Sequence, residues 1–141
     1  MKIIICGSMS FSESMVEIAK KLKDSGHDVI LPRNADDYAE SKLQAENRSE
    51  SIRHKMEHDL IRDYYEEINN SDAILVVNQE KNNIKGYVGG NSFLELAFGH
   101  VLRKKIFLLN DIPDMDYSDE ITAMQPKILN GNLSKIPFSS H

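Results

Sequence analysis

The chain opens on a short apolar run, Lys2-Ile3-Ile4-Ile5-Cys6, closed by Gly7. Such a run, β-branched and without polar alternation, reads as a strand buried on both faces, the habit of parallel sheets. Met15, Ile18, Ala19 and Leu22 then recur at helical spacing. Ser10 or Ser12 is placed to cap that helix, Glu13 falls in its first turn, and Ser25-Gly26 ends it. Asp28 to Pro32 reads as a second strand around Val29-Ile30-Leu31. Ile52 to Asn69 reads as one long helix, with Met56, Leu60, Ile61, Tyr64 and Ile68 on its period. Ala73-Ile74-Leu75-Val76-Val77 is the third strand, Ser92 to Leu102 a helix, and Ile106 to Leu109 the fourth strand. A short helix capped by Ser118 or Asp119 runs through Met124, and Lys127 to Leu129 is a short fifth strand.

Strand and helix therefore alternate. That predicts an α/β fold: a parallel sheet of about five strands, helices on both faces, right-handed crossovers. In such sheets ligands bind beyond the carboxyl ends of the strands, where the strand order switches. The loops after Cys6, Val77 and Leu109 meet that condition. Residues 1–131 read as one domain and 132–141 as a polar, poorly ordered tail. Asn34 to Ser51 is polar and charged, which suits a solvated helix, a mobile loop or a lid over a site. There is no internal repeat and no low-complexity block.

Composition narrows the partners. The 141 residues fit one domain. A net charge of −5 argues against nucleic acid or an acidic membrane surface as partner, though a small, locally neutralised anion remains compatible. The single cysteine, Cys6, permits no intrachain disulfide, which fits a reducing compartment. The N-terminal apolar run is too short for a signal-peptide core or a membrane span. A cytoplasmic location is therefore expected.

Two loops carry candidate chemistry. In Cys6-Gly7-Ser8-Met9-Ser10, the glycine admits close backbone approach, two hydroxyls are on offer, and the next helix start favours an anion such as phosphate. The plainer alternative is a tight strand-to-helix turn with a capping serine. The loop is neither the three-glycine dinucleotide fingerprint nor a Walker A loop. The second candidate runs from Gly86 to Glu95. Gly89, Gly90, Asn91 and Ser92 are placed to hold another part of the same ligand, and Asn78, closing the third strand, joins the binding candidates. Glu95 lies inside an apolar helix, among Phe93, Leu94, Leu96, Ala97 and Phe98. A carboxylate there is costly unless paired or used. The alternatives are a cap on backbone or a lysine pair.

A third motif, His54-Lys55-Met56-Glu57-His58, matches H-x-x-E-H with both histidines on one helix face. That zinc fold needs a third ligand and a longer chain, so a solvated charged face is the simpler account and no metal is assigned. Cys6 has no histidine near it in sequence, and a buried strand-end thiol is its default reading.

A first strand ending in Cys6-Gly7-Ser8, Asp72 opening the third strand, and a glycine-rich loop before a helix with internal Glu95 together resemble the nucleoside 2-deoxyribosyltransferase family. Cys6-Gly7-Ser8 is most similar to the 2′-deoxynucleoside 5′-monophosphate N-glycosidase branch. Ile112-Pro113-Asp114-Met115-Asp116-Tyr117 resembles the transferase branch. The likeness spans Lys2 to Met124. It implies a Rossmann-like (flavodoxin-like) sheet and Glu95 as nucleophile at the anomeric carbon of a nucleoside or nucleotide. A covalent glycosyl-enzyme then passes its sugar to water or to a second base. It also implies a 5′-phosphate held by Gly7, Ser8, Gly90 and Ser92, no cofactor, and a homodimer or higher homo-oligomer in which a neighbour completes each pocket. Asp114 to Met124 is the candidate for that donated edge.

Two positions depart from the family. It carries an aspartate eight residues before the Asp of the third strand; here that position is Tyr64, with Asp63 beside it. Both are candidates for the helper role, and Tyr64 shares the helix face of Ile61 and Ile68. Asn91 stands where the family more often has glycine. Two other readings remain: a nucleotide-binding module without turnover, and a phosphoribohydrolase of the "lonely guy" type, whose similar loop is one residue longer.

Overall fold

The computed structural model describes residues 1–32 and 59–138. Its elements are β1 (Lys2–Cys6), α1 (Ser12–Asp24), β2 (Asp28–Ile30), α2 (Leu60–Asn69), β3 (Ala73–Val76), α3 (Gly90–Val101), β4 (Lys105–Leu108), α4 (Ser118–Ala123) and β5 (Lys127–Ile128). The polar stretch Asn34–Ser51, the His54–His58 motif and the first part of the expected 52–69 helix lie outside the described residues.

The five strands are all parallel, in the order β2-β1-β3-β4-β5. This is the flavodoxin-like order, and its switch point lies between β1 and β3, because the chain leaves β1 for one side and returns on the other. The expected α/β, Rossmann-like fold is therefore present.

Period two along the strands sorts side chains onto two faces. Ile3, Ile5, Ala73, Leu75, Val77 and Phe107 meet Phe11, Met15, Ile18, Ala19 and Leu22 from α1 and the turn before it. Ile4, Cys6, Ile74, Val76 and Leu108 meet Ile68 of α2, Leu96 of α3 and Ile121 of α4. Helices thus cover both faces. With both sides buried, the strands could be continuous apolar runs, which is why they were readable. Tyr65 of α2 meets Phe98 of α3 edge-on at 5.5 Å, fixing those two helices together. Among the described residues no helix is long and apolar enough to cross a membrane.

Local details differ from the expected pattern. Neither Ser10 nor Ser12 caps α1. Met9–Phe11 form a 3-10 turn capped by Ser8, whose side chain accepts from the Ser10 amide, and α1 starts at Ser12 with Phe11 at its N-cap. Three residues of extra turn displace the cap. Neither Ser118 nor Asp119 caps α4. Tyr117 holds that position without a side-chain bond, and the Ser118 hydroxyl is drawn back to the Pro113 and Met115 carbonyls at 2.5 and 2.7 Å. The chain after Gly131 is not loose as far as Phe138. Leu133–Lys135 form a 3-10 turn, Ile136 is 5% exposed within the α1-side core, and Phe138 stacks on His27 at 5.6 Å.

Candidate active site at the carboxyl end of the sheet

The register Cys6↔Val76, extended by the Val77 amide donating to Cys6 O at 2.8 Å, sends the loops after β1 and β3 out side by side. Gly7 turns first. A Cβ there would stand 3.0 Å from Met15 Sδ and 3.1 Å from Val77 O, so only glycine fits without displacing its neighbours. Met9 packs against the α1-side core, which leaves Ser8 and Ser10 as the loop's polar surface. Their hydroxyl oxygens are 2.8 Å apart.

The loop after β3 reaches back to meet them. Lys81 and Ile84 exchange backbone hydrogen bonds of 3.0 and 2.9 Å, and Asn82 and Asn83 between them have φ of 54° and 61°. Two left-handed central residues are the mark of a type I′ hairpin, and asparagine tolerates that conformation well. This tight turn carries half-buried Lys81, whose Nζ donates to Ser8 Oγ at 2.8 Å and sits 5.4 Å from the Tyr87 ring centre. Tyr87 also borders Gly89, at the start of α3. Lys81 was missed in the sequence because it lies in a run of polar loop residues. Its meaning comes only from the β1–β3 register.

Asn78, one of the binding candidates, fastens two loops. It is fully buried. Its amide nitrogen lies 3.0 Å from Asn110 O, 3.0 Å from Asp111 O and 3.3 Å from Gly86 O, and its oxygen accepts the Asn110 amide at 2.9 Å. Its amide hydrogens are thus taken up by backbone carbonyls within a fully buried side chain. Gly86, at φ 70°, holds the left-handed turn this clasp closes on.

The glycine-rich loop is held from the segment after β4. The Tyr117 hydroxyl donates to Val88 O, and its ring stacks on Phe93 at 4.5 Å. Burial, then nearby Tyr87 and Asp116, raise the Tyr117 phenol above its ordinary pKa, so it remains a donor. Tyr117 and buried Ile121 are thus engaged within their own chain, inside the stretch expected to reach a neighbour. Gly90 and Asn91 are exposed at the first turn of α3, and Ser92 is buried.

Glu95 lies on the second turn of α3, half-buried. Period two in β1 points the Cys6 side chain to the same face. The Cys6 thiol lies close enough to the Glu95 carboxylate for each to shift the other's protonation. Burial raises Glu95 to about 7, the Cys6 hydrogen bond opposes that rise, and the charge of Glu67 adds to it. Burial, reinforced by Glu95 and then Glu67, pushes the Cys6 thiol well above its ordinary value. Cys6 is therefore a neutral donor and not a thiolate nucleophile.

The acid on α2 whose charge reaches Glu95 is Glu67. Tyr64 and Asp63 lie half-buried on the same helix, one turn earlier. The sequence signal for Glu67 was faint: it is three residues beyond Tyr64, hence on nearly the same face, but masked by neighbouring Glu66.

A cavity of about 690 Å³ lies just outside the hairpin, lined by Glu80, Asn83, Lys85, Asn110 and Asp111 among others. Among the described residues no three His, Cys, Asp or Glu side chains gather to hold a metal ion. No protein-family model matches the chain, and no curated protein matches it.

Proposed function

We propose that this chain cleaves or transfers the N-glycosidic bond of a nucleoside or nucleoside 5′-monophosphate, with Glu95 as the nucleophile. One observation carries the reading: a half-buried carboxylate held near pKa 7, beside the switch point of a parallel sheet, oriented by a neutral thiol. A carboxylate in that setting is part-ionised at neutral pH. It can stabilise and then capture an oxocarbenium-like centre.

In the proposed reaction a Glu95 oxygen forms a bond to the anomeric carbon while the bond from that carbon to the base nitrogen breaks. The base departs with the electron pair and takes up a proton. Water or a second base then attacks the same carbon and releases a proton to solvent, the bond to Glu95 breaks, and the carboxylate is restored. Cys6 holds the carboxylate in register throughout. Glu67, by its charge, keeps the Glu95 pKa near neutrality. A second copy of the chain completing the pocket belongs to the same reading.

A binding module without turnover is the second reading, favoured by Tyr64 in the position where the helper aspartate is expected. A panel of nucleosides and nucleoside monophosphates, incubated with the wild type and with Glu95→Ala, separates the two. Free base released by the wild type alone supports the enzyme. Ligand-induced thermal stabilisation with no product supports the binding module.

A further inference from the structure

We infer that the β4–β5 edge of the sheet carries a second binding site, separate from the one proposed above, for a small oligophosphate: a ligand bearing two or more linked phosphate groups.

The site originates in the shortness of the last strand. β5 pairs only with Phe107 and Leu108, so Lys105 and Ile106, the first half of β4, have no neighbour strand on that side. A cavity of about 580 Å³ lies at this gap, a size suited to a small molecule. Period two puts Lys105 on the face of Phe107, which is the α1 side, and the ladder sets Lys127 opposite Phe107. Both lysines therefore leave the same face, their Cα atoms about 8 Å apart by strand rise and spacing. His100, Arg103 and Lys104 line the same cavity from the end of α3, which packs on the other face. Arg103 takes the left-handed place after that helix, at φ 60°, where glycine is the usual choice. Cations from both faces thus meet around one sheet edge.

No aspartate or glutamate lines this cavity, and among the described residues none of its cations forms an ion pair. Lys127 Nζ meets an uncharged carbonyl, Lys135 O, at 2.8 Å, which steadies it without neutralising it. A helix carboxyl end attracts cations through its dipole, which accounts for the residues at the end of α3. It does not account for Lys105 and Lys127, which stand on strands. On a chain of net charge −5, four permanent positive charges around one concave space focus a positive field there. Charges delivered by a turn and two strands match several anionic groups better than one. Linked phosphates supply them, each oxygen meeting an ammonium or the arginine fork. A nucleic-acid strand or a bilayer calls instead for an extended basic surface.

The test is calorimetric titration of the full chain with inorganic triphosphate, pyrophosphate and phosphate, at low and high salt. Wild type is compared with the double variant Lys105→Gln, Lys127→Gln, and with Lys20→Gln, Lys23→Gln, which removes the same charge from the exposed face of α1. The wild type should bind triphosphate at least about tenfold more tightly than phosphate, the scale of one added charge-assisted contact. The Lys105, Lys127 double variant should weaken triphosphate at least about tenfold, the α1 variant less than about twofold, and high salt should weaken it throughout. If the double variant does not fold, Arg103→Gln takes its place with the same expected loss. The inference is overturned if triphosphate does not bind, or if phosphate binds as tightly. It is equally overturned if both double variants lose affinity alike, since the attraction is then diffuse, or if neither does, since the anion then sits elsewhere. A single-stranded oligonucleotide that binds through Lys105 and Lys127 more tightly than triphosphate would also overturn it. None of these readouts involves base release, so the inference and the glycosidic reading stand or fall separately.

Discussion

The two ends of this sheet treat charge in opposite ways. At the amino end three charged groups have partners. The Asp72 carboxylate accepts the Lys2 amide at 2.8 Å. The N-terminal ammonium meets His27 Nδ1 at 3.1 Å and Phe138 O at 3.3 Å. Lys127 Nζ is bound to Lys135 O at 2.8 Å. At the carboxyl end, Glu95 is answered by a thiol and disturbed by a second carboxylate, and Lys81 by a hydroxyl and a ring. The parallel sheet would be as well filled without those charges. Keeping an under-compensated acid and base around one pair of loops suits a site that is completed by a ligand.

The sharpest break of this contrast is Glu95→Gln. It should lower base release by at least about a thousandfold, the scale expected when a nucleophile is lost. Retained activity, measured as free base by chromatography, would move the chemistry elsewhere. Next comes Asn78→Ala, which leaves the backbone groups of residues 86, 110 and 111 without their partner. It should destabilise the fold by about 2–4 kcal/mol in urea denaturation. A loss under about 0.5 kcal/mol, paired with weakened ligand binding, would return Asn78 to the ligand side.

The two ends should also answer pH in opposite directions. Glu95 is raised from 4.5 to about 7, so between those values the folded chain keeps a proton that the unfolded chain releases. Its contribution is greatest below about pH 4.5, falls as pH rises toward 7, and changes by up to about 3 kcal/mol. His27 is lowered from 6.5, by burial first and then by the N-terminal charge. Below pH 6.5 the unfolded chain gains the proton more readily, so the His27 contribution rises with pH up to that value. Denaturation at pH 5 and pH 8 should show Glu95→Gln removing the falling component and His27→Gln the rising one. Identical pH profiles for wild type and Glu95→Gln would contradict the raised carboxylate.

Smaller effects sharpen the picture around Glu95 itself. Glu67→Gln should move the acid limb of the rate profile to lower pH, and Cys6→Ala to higher pH, because the first charge raises Glu95 and the thiol bond lowers it. Shifts of the same sign would refute that assignment.

What the sequence made legible follows from burial. Ile3 to Cys6 and Ala73 to Val77 are apolar on both faces, so their strands announce themselves. Glu95 stood out for the converse reason, as the one acid in an apolar helix. Lys81 and Glu67 did not, since each sits in a stretch where charge is ordinary. Only the β1–β3 register and the α2–α3 contact give them significance. Asn78's clasp could not be read in the sequence because a polar residue at a strand's end suits a ligand or a loop clasp equally well. The α1 cap was misplaced because three serines within five residues can each begin a helix, and the 3-10 turn chose the first.

In the proposed mechanism Glu95 bonds covalently to the sugar. The most direct measurement is mass spectrometry of the wild type treated with a slow, 2-fluorinated nucleoside monophosphate, followed by peptide mapping. One glycosyl group is expected on the peptide holding Glu95, with an equivalent of base released and neither seen in Glu95→Gln. Base release without an adduct, or an adduct on any other residue, would contradict it.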